Sequence, residues 1–241
     1  MKNSFSCANV MNLESEMTDC LAELRALFSQ GEQAFVFGSA PKYTIPKSIN
    51  SFRVLTVNGS QFKLDGFTPD LTLFNTSLIK SSFLANIAAR KALEGLGTKN
   101  LIVVVGKISW RKRVHVLYRL FRLGYKSERL HLMESDGRER VLKSLLGLDM
   151  KGPSLPSNGV FLAVLACYLG ANEVLMSGFS FSQAGHSYNN LNLGRGHVDA
   201  DRIVLDRVLE LGLPVFAIDH DFARDSGLRL IDVGSKSGLL K

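Results

Sequence analysis

Short apolar runs alternate with longer amphipathic segments along this chain, and that alternation constrains the fold more than any other feature. Leu101–Val105 and Ala34–Phe37 are apolar at every position. A strand that is apolar on both faces must be covered on both faces, as happens when a largely parallel sheet lies between two layers of helices. The sequence therefore predicts an α/β protein.

The order of the segments predicts a Rossmann-like, largely parallel sheet with helices on both faces. We predict strands at 33–37, 53–57, 71–74, 101–105, 129–133, 173–176 and 215–218. We predict helices at 12–29, 78–96, 110–123, 137–146, 160–169 and 198–211. Because no repeat, low-complexity tract or linker interrupts this pattern, we expect one domain over 1–241, with a helix within 1–31 packing on the sheet.

Composition narrows the setting of the protein. The chain has 241 residues, of which 46% are hydrophobic, and no apolar run approaches the ~20 residues that a transmembrane helix needs. The first residues do not resemble a signal peptide, so a cytoplasmic location is expected. Cys7, Cys20 and Cys167 are widely separated, which argues against a disulfide scaffold or a cysteine-based zinc site.

The net charge of +7 favours an anionic partner. Between Lys107 and Ser127 the chain is rich in lysine and arginine and has no acidic residue. Helical spacing places Val114, Leu117, Tyr118 and Phe121 on one face of the 110–123 helix. We expect that face to pack on the sheet and the arginines to contact an anionic membrane weakly, without insertion. Nucleic-acid binding lacks a recognisable motif.

Polar or small residues follow the first three predicted strands. Ligands bind outside the carboxyl ends of the strands in such sheets, so these residues predict a site. They are Gly38, Ser39 and Ala40 after the first strand, Asn58 after the second and Asn75 after the third. Each one taken alone is better explained as a turn or backbone residue, but their occurrence at three consecutive strand ends favours a site.

The nucleotide-binding motifs of common enzymes are absent. The sequence contains no G-x-x-x-x-G-K-[ST] phosphate loop, and no G-x-G-x-x-G follows a strand, which argues against P-loop ATPases and nicotinamide enzymes. Ser157 precedes an apolar helix and could cap it or contact a substrate. A helix N-terminus also attracts anions, so both interpretations stay open.

Several motifs occur together in one order. Ser157-Asn158-Gly159 opens an apolar helix, Ser177-Gly178-Phe179-Ser180-Phe181 ends a strand, Ser187-Tyr188 follows, and His197 opens a helix. Upstream lie Gly38-Ser39-Ala40-Pro41, Asn58 with Gln61-Phe62, and Phe74-Asn75. In this co-linear set, spanning residues 33 to 220, the chain resembles the bacterial CMP-sialic-acid-dependent sialyltransferases of glycosyltransferase family 42.

The resemblance implies roles for these residues. His197 would be the catalytic base and Tyr188 would donate a hydrogen bond to the departing phosphate. The donor site would be lined by Gly38, Ser39, Ala40, Asn58, Asn75, Ser157, Asn158, Gly159, Gly178, Ser180 and Ser182. The implied donor substrate is a CMP-sugar and the implied acceptor a surface glycan of the lipopolysaccharide or capsule type. No separate cofactor and no metal are implied, and the oligomeric state stays open.

The chain departs from the family pattern at three places. The family's Asp-Phe-Tyr is here Ser180-Phe181-Ser182, so a serine replaces one phosphate-binding tyrosine. Ser39 replaces an asparagine, and Asn158-Gly159 replaces Ser-Gly. These changes leave the acidic sugar open between sialic acid and Kdo, another acidic ulosonic sugar.

Other interpretations compete with glycosyl transfer. Asp199-Ala200-Asp201 and Asp219-His220-Asp221 both spell the D-x-D of metal-dependent transferases, and a Mg²⁺-dependent phosphotransferase of the pterin pyrophosphokinase type would use the latter pair. Asp199 and Asp201 equally suit the first turn of a helix. A non-enzymatic basic binding protein is the third alternative. Among the other histidines, His115 and His131 are expected to be structural or solvated, and His186 a secondary contact.

Overall fold

The computed structural model describes residues 21–189, 191 and 196–238. Cys7, Cys20 and the first part of the predicted 12–29 helix lie outside these ranges. The chain is helical over 21–25, and a 3-10 turn follows at Ala26–Phe28. Leu21, Leu24 and Phe28 are buried in the main core, so this segment packs on the sheet.

Seven strands form one sheet in which every neighbouring pair is parallel. The described residues contain nine strands in all, which are β1 (Gln33–Phe37), β2 (Tyr43–Pro46), β3 (Arg53–Val57), β4 (Leu71–Asn75), β5 (Gly97–Val105), β6 (Lys126–Glu134), β7 (Glu173–Ser177), β8 (Val215–Ala217) and β9 (Ser235–Gly238). The order in the large sheet is β6-β5-β4-β3-β1-β7-β8, while β2 and β9 form a separate antiparallel pair. The predicted α/β fold is confirmed.

Helices cover both faces of this sheet. They are α1 (Thr76–Lys80), α2 (Leu84–Leu93), α3 (Trp110–Leu123), α4 (Ser135–Leu146), α5 (Asn158–Leu169), α6 (Val198–Glu210) and α7 (His220–Ser226). Within the described part of the chain, no helix combines the length and the apolar character that a membrane crossing requires.

The side chains of the central strands alternate between two cores. Ala34 and Val36 of β1 face the core that contains α5, whereas Phe35 and Phe37 face the opposite core. All four are fully buried. Burying a valine or phenylalanine side chain contributes about 1.5–3 kcal/mol. This stabilisation explains why these runs are apolar at every position.

Helix α5 lies at the centre of the molecule and is buried on nearly all sides. It begins where the Ser157 Oγ accepts a hydrogen bond from the backbone N–H of Val160, at 3.3 Å, so the capping role of Ser157 is confirmed. The helix packs on β1, β3 and β7. Because α5 runs back to the start of β7, its N-terminus lies at the carboxyl edge of the sheet.

The prediction of a single helix at 78–96 is wrong, because α1 and α2 are separate helices. Ser81 is extended between them, and its hydroxyl accepts a hydrogen bond from the Phe83 N–H at 3.1 Å. The Arg90 Nη1 donates to the carbonyls of Leu78 and Ser81, at 2.6 and 2.9 Å. These side chains satisfy backbone groups that a continuous helix would have paired, so the break is stable.

The predicted packing face of α3 is also wrong. Val114, Leu117, Tyr118 and Phe121 are 57%, 48%, 54% and 82% exposed. Val116 and Leu120 pack on the sheet instead. Two apolar stripes therefore run along this helix, and the one that contains Val116 and Leu120 faces inward.

The sequence analysis missed three short elements. β2 and β9 pair across a long stretch of chain, and neither shows the alternation that predicts a strand. α7 is only seven residues long. The β2 segment nevertheless covers one face of the sheet, where the Tyr43 ring meets the Phe37 ring edge-on at 5.2 Å.

Candidate active site

The predicted site residues largely converge on one cavity of about 260 Å³ at the carboxyl edge of the sheet. β4, β3, β1 and β7 are neighbours in the sheet, so the residues that follow them meet here although they are far apart in sequence. Of the predicted residues, the cavity is lined by Gly38, Ser39, Asn58, Asn75, Ser157, Asn158, Gly159, Ser180 and His197. Ala40, Gly178, Ser182 and Tyr188 lie outside its lining.

The cavity opens where the direction of the strand order reverses, between β1 and β7. Such a switch point is the usual ligand crevice of an open α/β sheet. Here the backbones of Gly38 and Gly178 approach so closely that a Cβ on Gly38 would lie 2.3 Å from the Gly178 carbonyl oxygen. That oxygen accepts a hydrogen bond from the Ala40 N–H at 2.7 Å. Ala40 and Gly178 therefore support the wall of the cavity.

Asn58 occupies an unusual backbone conformation at the end of β3, with φ at +50°. Non-glycine residues rarely adopt this left-handed region, and asparagine tolerates it better than most. The Asn58 Oδ1 accepts a hydrogen bond from the Asn158 Nδ2 at 3.1 Å. The strained turn thus holds an amide against the start of α5, and such strain is typical of ligand sites.

The sequence analysis missed Arg138, a buried cation in the cavity wall. Its side chain extends from α4 and is only 6% exposed. Nη1 donates to the Asn158 Oδ1 at 3.3 Å, and Nη2 donates to the Pro156 carbonyl at 2.5 Å. Nε has no hydrogen-bond partner within the described ranges. One signal was available, because Arg138 lies three and four residues before the buried Val141 and Leu142.

Arg138 contributes a positive charge to the cavity wall, which it shares with the carboxylate of Asp201. Burial lowers the pKa of the guanidinium to about 10, and Asp201 opposes that shift. The side chain is therefore still charged at neutral pH. Its guanidinium also lies 4.8 Å from the centroid of the Phe161 ring. A fixed, poorly hydrated cation in a cavity wall favours an anionic ligand.

The imidazole of His197 reaches the cavity with one ring nitrogen hydrogen-bonded to the backbone. It occupies the N-cap position of α6 and is exposed to solvent at the rim of the cavity. Its Nδ1 lies 3.1 Å from the carbonyl oxygen of Leu155. Because a carbonyl can only accept, Nδ1 must carry the hydrogen. In the neutral ring, Nε2 then holds the free lone pair and can accept a proton.

Asp201 fixes the relative position of α6 and α5. It lies in the first turn of α6, as predicted for a carboxylate that complements the helix dipole. Its Oδ1 accepts a hydrogen bond from the Ser157 N–H at 2.6 Å, at the start of α5. This bond draws the N-termini of the two helices together, and it brings His197 to the cavity.

The 186–189 segment closes one side of the site. The Ser39 Oγ lies 2.9 Å from the His186 Nδ1, and the Ser187 N–H donates to the Ser39 carbonyl at 2.7 Å. His186 lines the cavity. Tyr188 stacks on His186 at 5.1 Å between ring centroids and packs against Gly59. Tyr188 therefore lies behind the residues that face the cavity.

Both carboxylates of Asp219-His220-Asp221 make hydrogen bonds or ion pairs within the protein. The Asp219 Oδ2 accepts hydrogen bonds from the Ser177 Oγ at 3.0 Å and from the Gly178 N–H at 2.7 Å, and burial raises its pKa. Asp221 pairs with Lys42 at 3.5 Å and with Arg224 at 3.4 Å. Across residues 21–189, 191 and 196–238, no three histidine, cysteine or acidic side chains are grouped to hold a metal.

Comparison with solved structures identifies the class of fold. The chain shares the Rossmann-like fold of bacterial sialyltransferases. Sialyltransferase Cst-I from Campylobacter jejuni superposes with a TM-score of 0.53 at 12% identity, over 86% of this chain and 83% of that one. CstII from C. jejuni, solved with cytidine-5′-monophosphate, gives 0.51 at 16% identity, over 85% and 87%.

The Cst-II structures extend this likeness. A variant of Cst-II in complex with CMP gives a TM-score of 0.53 at 14% identity, over 87% of this chain and 91% of that one. No protein-family model and no curated protein matches the sequence. At identities this low, the superpositions establish the shared fold and no more.

Proposed function

We propose that this protein is a glycosyltransferase that moves an acidic ulosonic sugar from a CMP donor to a hydroxyl of a glycan acceptor. The observation that carries the proposal is the cavity itself. At the carboxyl edge of a sialyltransferase-like sheet, it combines a histidine whose Nε2 can accept a proton with a buried arginine and several neutral amide and hydroxyl groups.

The donor fits the charge of the site. Cst-II has been solved with CMP and a trisaccharide acceptor, and we extend that pairing of ligands to this chain. The N-terminus of α5 and the guanidinium of Arg138 both favour an anion. Sialic acid and Kdo each carry a carboxylate, so either sugar suits the cavity. The donor is itself the substrate, and we propose that no separate cofactor or metal is needed.

The chemistry is a single displacement. Nε2 of His197 takes the proton of the acceptor hydroxyl as its oxygen forms a bond to the anomeric carbon of the donor sugar. The bond between that carbon and the phosphate oxygen breaks, and CMP leaves with the electron pair. Hydrogen bonds to the departing phosphate stabilise the developing charge. Attack from the side opposite the leaving group inverts the anomeric configuration.

The biological setting follows from this chemistry. We propose that the acceptor is a lipopolysaccharide or capsule glycan, built at the inner face of the membrane by a cytoplasmic protein. Asp219 and Asp221 would have to bind Mg²⁺ in a phosphotransferase, but their hydrogen bonds and ion pairs give no support to that alternative.

Nucleotide-dependent thermal stabilisation tests the proposal. We expect CMP, in the presence of EDTA, to raise the melting temperature. At a CMP concentration of about one hundred times Kd, the gain is about 2.7 kcal/mol, or about 5–10 °C for a chain of this size. A shift with ATP and Mg²⁺ but not with CMP would identify a phosphotransferase. No shift with either would leave a binding protein.

Replacing Tyr188 with phenylalanine tests the role that the resemblance gives it. Its ring lies behind His186, so the 186–189 segment must shift if the hydroxyl is to reach the phosphate. We expect kcat to fall more than the affinity for CMP, because the phosphate charge develops in the transition state. Steady-state kinetics and calorimetry measure the two quantities. Equal losses would indicate a ground-state contact, and unchanged kinetics would reduce Tyr188 to packing.

A further inference from the structure

Helix α3 exposes a continuous apolar stripe that nothing in the described chain covers. Trp110 is 72% exposed and Phe121 is 82% exposed, and Val114, Leu117 and Tyr118 lie between them on the same face. Their spacing of three and four residues aligns them along one side of the helix. Because Val116 and Leu120 already pack on the sheet, the stripe is an additional surface with no packing role.

Basic side chains border this stripe. Arg111 and Arg122 follow it around one side of the helix and Arg113 lies on the other, as the 3.6-residue turn requires. No acidic residue occurs between Lys107 and Ser127. An apolar stripe with cationic edges is the pattern of a helix that lies in a membrane interface, since its apolar side chains enter the lipid while its cations meet the head groups.

A basic groove of about 360 Å³ lies beside the stripe, between α2 and α3. The groove is lined by five cationic residues, which are Lys80, Arg90, Lys91, Arg119 and Arg122. Among the described residues, Glu94 is the acidic residue of the lining. Ile79 and Leu123 contribute apolar side chains to the lining of the groove. The dimensions and charge suit a phosphate-bearing head group, whose charge these side chains would neutralise.

Further exposed apolar side chains lie on α2, across the basic groove from α3. Phe83 and Leu84, at the start of α2, are 77% and 67% exposed, and Ile87 is 44% exposed. Ile87 also lines the basic groove. Two helices therefore contribute to one surface, in which exposed aromatic and aliphatic side chains surround a cluster of cations.

We propose that α3 and the start of α2 form a membrane-binding face, which inserts Trp110 and Phe121 into the interface of an anionic lipid bilayer and receives lipid phosphates in the groove. This replaces the contact without insertion that the sequence predicts, because the apolar stripe faces outward and not toward the sheet. Trp and Tyr favour that interface. A second copy of this chain fits less well, because pairing the face with itself would bring two arginine clusters together. The proposal stands independently of the glycosyltransferase activity.

The face also bears on the site. α3 begins directly after the β5–α3 connection, at the same edge of the sheet where the cavity opens. A protein bound along α3 therefore lies with this flank of the sheet against the lipid surface, and the Trp110 end of the helix is at the edge where the cavity opens. This consequence, unlike membrane binding itself, rests on the proposed glycosyl transfer: an acceptor anchored in the same bilayer would reach the cavity without leaving the membrane.

Trp110 is the only tryptophan in the chain and so reports directly on insertion. We expect its fluorescence to shift to shorter wavelength with vesicles of phosphatidylserine and phosphatidylcholine, and brominated acyl chains to quench it. Phosphatidylcholine alone should leave it unchanged. In co-sedimentation, Phe121→Ser should weaken binding about tenfold. Arg119→Gln and Arg122→Gln should each weaken it about fivefold and reduce its salt dependence.

Matched controls separate this face from general surface properties. Ile203, on α6, is 51% exposed, so Ile203→Ser removes an exposed apolar side chain elsewhere and should leave vesicle binding unchanged. Equal binding to neutral and anionic vesicles, or an unshifted Trp110 spectrum, would overturn the proposal. So would concentration-dependent dimerisation that Phe121→Ser abolishes without any vesicle binding, since the face would then be a contact between copies.

Discussion

Replacing His197 with alanine is expected to lower the turnover of sugar transfer by about 10²- to 10⁴-fold, because the acceptor hydroxyl loses the general base that we propose for it. CMP binding should be nearly unchanged, since Nε2 serves the acceptor and not the nucleotide. Transfer rates with a CMP-sugar donor and calorimetric titration with CMP measure the two effects separately. Near-wild-type turnover would remove His197 from the mechanism.

The variant His197→Asn isolates the chemistry from the packing. The asparagine amide nitrogen can still donate to the Leu155 carbonyl, as Nδ1 does now at 3.1 Å, but it supplies no base. We therefore expect His197→Asn to be as inactive as the alanine variant. Activity regained with asparagine would make His197 a positioning residue. His220, exposed at the start of α7, provides the control histidine, and His220→Ala should be fully active.

Replacing Arg138 with methionine is expected to weaken CMP binding by about 10- to 100-fold. Losing a hydrogen bond to a charged group costs about 1.5–3 kcal/mol, which corresponds to that range. The free energy of unfolding should also fall, by about 1–3 kcal/mol, because the Pro156 carbonyl and the Asn158 Oδ1 lose their donor. Calorimetry and chemical denaturation measure the two losses.

Cytidine separates these two contributions of Arg138. If the guanidinium attracts the phosphate, Arg138→Met should remove most of the preference for CMP over cytidine while cytidine affinity changes little. A uniform loss for both ligands would make Arg138 purely structural. Arg140 lies on the same helix, is 43% exposed at its side chain and pairs with Asp136. Arg140→Met should bind CMP as the wild type does.

The main strands and the α/β class could be predicted from the sequence because their cause is local. β1 and β3 have the predicted bounds, and the last four residues of each are buried, since strands covered on both faces need apolar or paired side chains on both faces. The helix broken between α1 and α2 could not be predicted. Its break depends on Arg90 reaching the Leu78 and Ser81 carbonyls, which is a contact between different turns of the folded chain.

The sequence predicted only those residues of the candidate site that belong to a motif. Asn58, Asn158 and His197 stand in recognisable positions, and the structure brings all three to one cavity. Arg138 belongs to no motif that we identified, and its importance comes from burial beside Asn158 and Asp201. Tyr188 shows the converse, because its motif is present while its ring packs behind His186.

The sequence by itself determined which segments are apolar on one face or on both, and hence the layered fold. Only the tertiary structure decided how those faces are used. Helix α3 has two apolar stripes, and periodicity favoured the larger one for the core. The structure buries Val116 and Leu120 and leaves Trp110 and Phe121 exposed. The physical reason is that helical spacing fixes which residues share a face, whereas the connections and the sheet beneath fix the rotation of the helix.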